Sequence, residues 1–145
     1  MKHVLKITAA AAALTIGSAL PAMAQITDGL AFKTSFPFYA GNTKLPAGSY
    51  RISEAGVDTN ELQIQSVSGY PSVFLQFDPT LSAQPHQHSY VTFHRYADVN
   101  YLTRIWVAGQ YYGMKIEPTK AELNSAATAA VTEHTVTGEH TVTGN

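Results

Sequence analysis

From Phe32 onward, apolar and polar residues change places with a two-residue rhythm. That is the period of a β-strand, whose successive side chains point to opposite faces. Phe32, Thr34, Phe36 and Phe38 share one parity, with Lys33, Ser35 and Pro37 opposite. This predicts a first strand with Pro37 at its edge or end, because proline has no N–H to give to a ladder. Residues 40–43 and 45–48 are turn sequences rich in Gly, Asn and Pro,. Residues 49–53 form the next strand, with Tyr50 and Ile52 inward and Arg51 outward. Residues 61–67 put Leu62 and Ile64 on one side and Gln63 and Gln65 on the other. The Ser68-Gly69-Tyr70-Pro71 turn then sends the chain back antiparallel through Val73, Leu75 and Phe77,. Residues 79–88 are polar with two prolines and read as an exposed loop. Residues 111–117 form a last strand, weakened by Gly113.

The strongest signal is residues 90–107, two arms around a turn at Ala97-Asp98-Val99-Asn100. Tyr, Val, Thr, Phe, Ile and Trp dominate both arms and suit a pleated, half-buried surface. Val91, Phe93 and Arg95 alternate with Tyr90, Thr92, His94 and Tyr96. Leu102, Arg104 and Trp106 alternate with Tyr101, Thr103, Ile105 and Val107. Neither arm has a purely apolar face, so alternation alone leaves the buried side open. Phe93, Ile105 and Trp106 are the residues expected inside.

Beyond Pro118 the pattern changes. Thr119 and Glu122 have the spacing of a capping box, so a short helix is expected over residues 119–130,. Leu123 is its single large apolar residue, which predicts thin packing and fraying. The sequence EHTVTG then occurs twice before Asn145. Residues 131–145 are therefore expected to be a disordered tail or a lone edge strand. The whole reads as an all-β domain over residues 25–118. Its expected form is a six- to seven-stranded antiparallel sandwich or small barrel, with a short C-terminal helix and a flexible tail.

Composition adds a destination. Lys2 and Lys6 precede an apolar stretch at residues 7–20, and Ala22-Met23-Ala24 is a small-x-small cleavage site. Residues 1–24 have the form of a secretory signal peptide, and the apolar stretch is short of the roughly 20 residues of a membrane span. Cleavage before Gln25 leaves 121 of the 145 residues, in the periplasm or outside the cell, with no transmembrane span. Losing Lys2 and Lys6 leaves seven basic residues against ten acidic ones, a net charge of −3. That argues against nucleic acid, which needs clustered Lys and Arg. The chain has no cysteine, so neither a disulfide nor a lipid-modified cysteine anchors it, and its core must supply its stability.

Candidate chemistry is sparse. His86 and His88 have metal-ligand spacing, but no thiol or carboxylate stands near them, and solvated loop histidines are the simpler reading. The densest polar cluster is His94, Arg95, Tyr96 and Asp98, joined by Arg104 and Trp106 as a candidate binding patch. A clasp, in which Asp98 caps the turn and pairs with Arg95 or Arg104, competes with that reading and is favoured. No Gly-x-Ser-x-Gly elbow and no glycine-rich phosphate loop occurs,. Glu54, Asp58 and Glu61 cluster on a polar loop, the weak basis for a carboxylate-dependent hydrolase. No catalytic residue and no cofactor is assigned.

Four pieces in order carry a resemblance: the leader; Phe36-Pro37-Phe38 followed by residues 41–50, GNTKLPAGSY; Phe93-His94-Arg95-Tyr96 with Asp98; and Ile105-Trp106. In these, covering about residues 32–123, the chain resembles small exported proteins of unknown function abundant in acidobacterial genomes. Ala97 stands where that pattern has glycine, Asn100 is also atypical, and the repeated tail lies outside it. The resemblance implies export and a β fold. The expected role is a non-enzymatic surface binding or structural module whose partner is an envelope protein, a glycan or another copy of itself. A subunit of an extracellular β-rich assembly is the alternative. Mass spectrometry of the exported protein is expected to find Gln25 as its first residue.

Overall fold

The computed structural model describes residues 29–56 and 58–140. The expected leader and the end of the expected tail lie outside the described residues. The strands are β1 (Leu30–Thr34), β2 (Phe38–Ala40), β3 (Thr43–Leu45), β4 (Gly48–Glu54), β5 (Glu61–Ser66), β6 (Ser72–Gln76), β7 (Asp78–Leu81), β8 (Ser89–Tyr96), β9 (Val99–Trp106), β10 (Tyr112–Lys115) and β11 (Val131–His140), with helix α1 (Lys120–Thr128) between the last two.

These strands form one sheet that curls into a nearly closed barrel. Its hydrogen-bonded order is β3-β2-β9-β8-β11-β1-β4-β5-β6, with β10 joining β9 to β7. Only Phe77 separates β6 from β7. The two run as one bent strand that pairs with β5 before the bend and with β10 after it, so the far edges of the sheet meet. The β2–β3 hairpin covers the other half of the seam, and its Gly41, at φ 60°, brings the backbone against Leu75 of β6. All pairings are antiparallel except β2 with β9, which is parallel at Tyr39 and Tyr101.

One core fills the interior. Phe32, Phe38, Tyr50 and Phe93 pack ring on ring there, with centroids 5.1 to 6.3 Å apart. Leu30, Ile52, Leu62, Ile64, Val91 and Ile105 are fully buried around them. Each such side chain contributes about 1.5–3 kcal/mol from the area it removes from water.

Four expectations are corrected. The first strand is broken at residues 35–37, because Pro37 cannot donate to a ladder, and β2 continues in a new direction,. The expected loop at residues 79–88 contains β7, in which Pro79 is tolerated on a strand with a single partner. The central hairpin turns in two residues, Ala97 and Asp98, with Ala97 at φ 52°. The largest correction concerns residues 131–140, which are no tail. They form β11, inserted between β8 and β1 with eight register pairs to β8 and three to β1. Its inward parity carries His134 against Phe36, Val136 against the core and Gly138 against Leu30.

The central hairpin also shows why its faces could not be sorted by alternation. A β-bulge interrupts the pairing, so that Thr92 faces Arg104 but Phe93 faces Leu102. Thr103 is the extra residue, and its hydroxyl donates to the carbonyl of Thr92 at 3.1 Å. A bulge shifts the side-chain alternation by one position. Leu102 and Ile105, of opposite parity, therefore both enter the core, while Thr103 and Arg104 both face outward. Phe93 and Ile105 are buried in that core. Trp106 is buried too, but on the outer face, against Gly113 and beneath the ring of His86 at 4.2 Å.

Ending the chain after Ala130 is expected to abolish the cooperative unfolding transition seen by circular dichroism, because β8 and β1 lose their common partner. Gly113→Ala would set a Cβ 2.7 Å from the Ile105 carbonyl and 2.6 Å from the Trp106 ring. It is expected to cost about 1–3 kcal/mol in urea unfolding.

Candidate functional site

The outer face of β8 and β9 carries the chemistry. With Val91 and Phe93 inward, Thr92, His94 and Tyr96 point out. Tyr96 and Tyr101 are 8% and 5% exposed yet stand outside the barrel core, because α1 covers them. The helix starts at Thr119, whose side chain accepts from the Glu122 N–H at 3.2 Å, the first half of the expected capping box. It is docked by polar groups: Tyr101 Oη and Ser125 Oγ lie 3.1 Å apart. Leu123, the one large apolar residue of the helix, is 55% exposed, whereas Glu122 is its one buried side chain at 5%.

Glu122 Oε1 lies 3.6 Å from His94 Nδ1, and Glu133 Oε2 of β11 lies 3.6 Å from His94 Nε2. The imidazole therefore spans two carboxylates, one buried and one exposed. Each ring nitrogen faces a carboxylate. Burial pushes the Glu122 carboxyl above the usual carboxylate range, and His94 opposes that shift,. The Tyr96 hydroxyl is raised by burial and by the nearby Glu122.

A groove of about 240 Å³ opens between α1 and the sheet. Its floor is His94, Tyr96, Thr103 and Glu122. Arg104, Lys115 and Glu117 stand on the rim, and Ile116, Pro118, Leu123 and Ala126 supply apolar wall. Lys115 Nζ donates to Glu117 Oε1 at 2.6 Å, which holds the Glu117 carboxyl below its usual range. The register pairs Arg104 with Lys115, and the bulge at Thr103 aims Arg104 outward beside it. Arg104 has no ion pair among the described residues. A second concavity, of about 280 Å³, lies over β1 and is lined by Ala31, Lys33, Ser49, Val67 and Thr137 among others. Its buried ionisable group is a phenol rather than a carboxylate, Tyr50, 1% exposed, whose hydroxyl is raised by burial.

Of the candidate patch, His94, Tyr96 and Arg104 meet in the groove. Arg95 and Asp98 stay at the hairpin tip, where Arg95 Nη2 lies 3.3 Å from Asp98 Oδ1 and Nε donates to the Ala97 carbonyl at 2.8 Å. That contact is the clasp. Trp106 is no contact surface, since His86 covers it and the Tyr90 hydroxyl holds His86 Nδ1 at 3.1 Å. His88 is exposed. Among the described residues no three His, Asp or Glu side chains gather as a metal site. Glu54, Asp58 and Glu61 line neither concavity.

Reading the sequence assigned Glu122 to a cap and left Glu133, Thr103 and Lys115 out of the site. A helix with a single large apolar residue, Leu123, was a signal that its docking face would be polar. Only the sheet order could supply Glu133.

No family model, no curated protein and no solved structure matches the chain.

Glu122 is harder to ionise in the folded chain than in the unfolded one. Its favourable contribution is full below the ordinary glutamate value of 4.5 and is lost as the pH rises through its higher folded value,. Glu122→Gln removes that dependence. The unfolding free energy of the wild type, measured relative to Glu122→Gln, is expected to fall as the pH rises from 4.5 through the raised folded value, the reverse of the usual acid lability,.

Proposed function

We propose that the protein is an exported, non-enzymatic binding module, acting in the periplasm or outside the cell, that holds a small ligand in the groove beneath α1. One observation carries the reading: a carboxylate, Glu122, sits 5% exposed on the floor of an open groove. Burying a charge is costly unless it is well paired, and its nearest partner, His94, lies 3.6 Å away. A purely structural helix would dock more favourably through apolar side chains, yet Leu123 is left outside. The leader sequence supports export.

A second reading, a subunit of an extracellular assembly, is favoured by the other side of the barrel. There β6 bonds to β5 alone, and Tyr70 and Phe74 are 84% and 57% exposed. Exposed apolar side chains on and beside a strand with a single hydrogen-bonded partner invite association with another chain. Sedimentation at high concentration separates the two readings, and a strictly monomeric protein removes the assembly.

For the binding module, an NMR screen of the purified protein against a diverse fragment library is expected to shift the signals of Tyr96, Thr103 and Leu123. Leu123→Trp, which narrows the groove mouth, is expected to weaken those hits at least about tenfold, a loss of roughly 1.4 kcal/mol. Leu81→Trp, on an exposed site elsewhere, should leave them unchanged. A library that shifts no groove signal would defeat the proposal.

A further inference from the structure

Resting on that reading of the groove, we infer that its ligand is a small organic acid carrying an amine or hydroxyl on a short hydrocarbon frame. The carboxylate is held by Arg104, the donor by Glu122, and the hydrocarbon by Ile116, Leu123 and Ala126.

Size sets the first limit. An apolar cavity of about 150 Å³ accepts benzene, so the groove, at about 240 Å³, takes a ligand of about ten non-hydrogen atoms. That is smaller than the usual range for drug-sized ligands.

Charge sets the second. Two cations stand on the rim, and they differ. Lys115 is neutralised by Glu117 at 2.6 Å. Arg104 has no ion pair among the described residues, and the bulge at Thr103 aims it out of the barrel beside the groove. Its planar guanidinium matches a carboxylate with two parallel hydrogen bonds. The anionic end of the ligand therefore belongs at Arg104.

The floor sets the third. Glu122 is a deep acceptor with up to four lone-pair sites. His94 faces one of its oxygens from 3.6 Å, beyond the usual hydrogen-bond range of about 2.7–3.2 Å,. An ammonium or hydroxyl reaching the floor would add a closer donor to that carboxylate, beside its ion pair with His94. Leu123, exposed without ligand, would be covered by the hydrocarbon portion. An anion alone would be repelled by Glu122, and a cation alone leaves Arg104 empty. A ligand with both groups answers both.

Titration calorimetry with four probes tests this: leucine, 2-hydroxy-4-methylpentanoic acid, 4-methylpentanoic acid, which lacks the donor, and leucinol, which lacks the carboxylate. The first two are expected to bind at least about tenfold more tightly than the last two, since charge-assisted hydrogen bonds are at stake. Arg104→Gln is expected to reduce leucine to the affinity of leucinol. Glu122→Gln is expected to reduce it toward that of 4-methylpentanoic acid. Arg51→Gln, an exposed arginine on β4, should change nothing. Leucinol binding as tightly as leucine, with Arg104→Gln neutral, overturns the ligand class while leaving the binding role intact. So do four silent probes alongside fragments that still shift the Leu123 signal. A groove that binds nothing takes down both proposals.

Discussion

The hydrogen-bond ladder of β11 holds the molecule together. Apart from the β2–β3 hairpin, which pairs with β9, the strands before Phe77 form one block, β1-β4-β5-β6, and the strands from β7 to β10 form another, β7-β10-β9-β8. At one seam the blocks share a continuous piece of chain around Phe77. At the other, β8 and β1 do not pair with each other, and β11 fills the space between them. Without it, two strands would present rows of unpaired N–H and C=O groups, and each such buried group costs about as much as a lost hydrogen bond. The strand that meets this need comes from the far end of the chain. The fold is therefore sealed by contacts of very long sequence separation, which are slow to form because loop closure comes first.

The same strand builds the site. Because β11 must reach the slot beside β8, the chain between β10 and β11 has to cross the outer face of the sheet, and α1 is that crossing. Glu133 arrives opposite His94 as a cross-strand neighbour, and Glu122 arrives above it on the helix. His94 thus reads the positions of two elements joined by a few residues. The docking includes two polar contacts, Tyr101 against Ser125 and His94 against Glu122. Small helix side chains such as Ala126 let the helix lie close while leaving room for the groove.

A single inserted residue completes the arrangement. Had β8 and β9 paired without the bulge at Thr103, strict alternation would have sent Arg104 into the core along with Leu102, where an unpaired guanidinium is not tolerated. The extra residue restores Ile105 to the interior and puts Thr103 and Arg104 together on the outside. Bulges commonly re-aim side chains next to functional sites, and this one delivers Arg104 to the groove rim.

The sequence by itself determined the class of fold and most of its inner face. A period of two is unambiguous where one side of a strand is buried, and Leu62 and Ile64, and Tyr50 and Ile52, all lie where alternation puts them. Local chemistry likewise placed the cap at Thr119 and the position of the hairpin turn, though not its two-residue length, because those features depend on neighbours within four residues. Tertiary structure alone decided the rest. EHTVTG has no large apolar residue beyond valine, so it looks like a tail until β8 and β1 supply the partners it lacks. The faces of β9 could not be assigned because a bulge is a property of two strands rather than one. Glu122 passed as a cap because burial, which makes it a candidate site, comes from a sheet some thirty residues earlier in the chain. Periodicity reports what a segment can bury, and only the completed sheet decides what it meets.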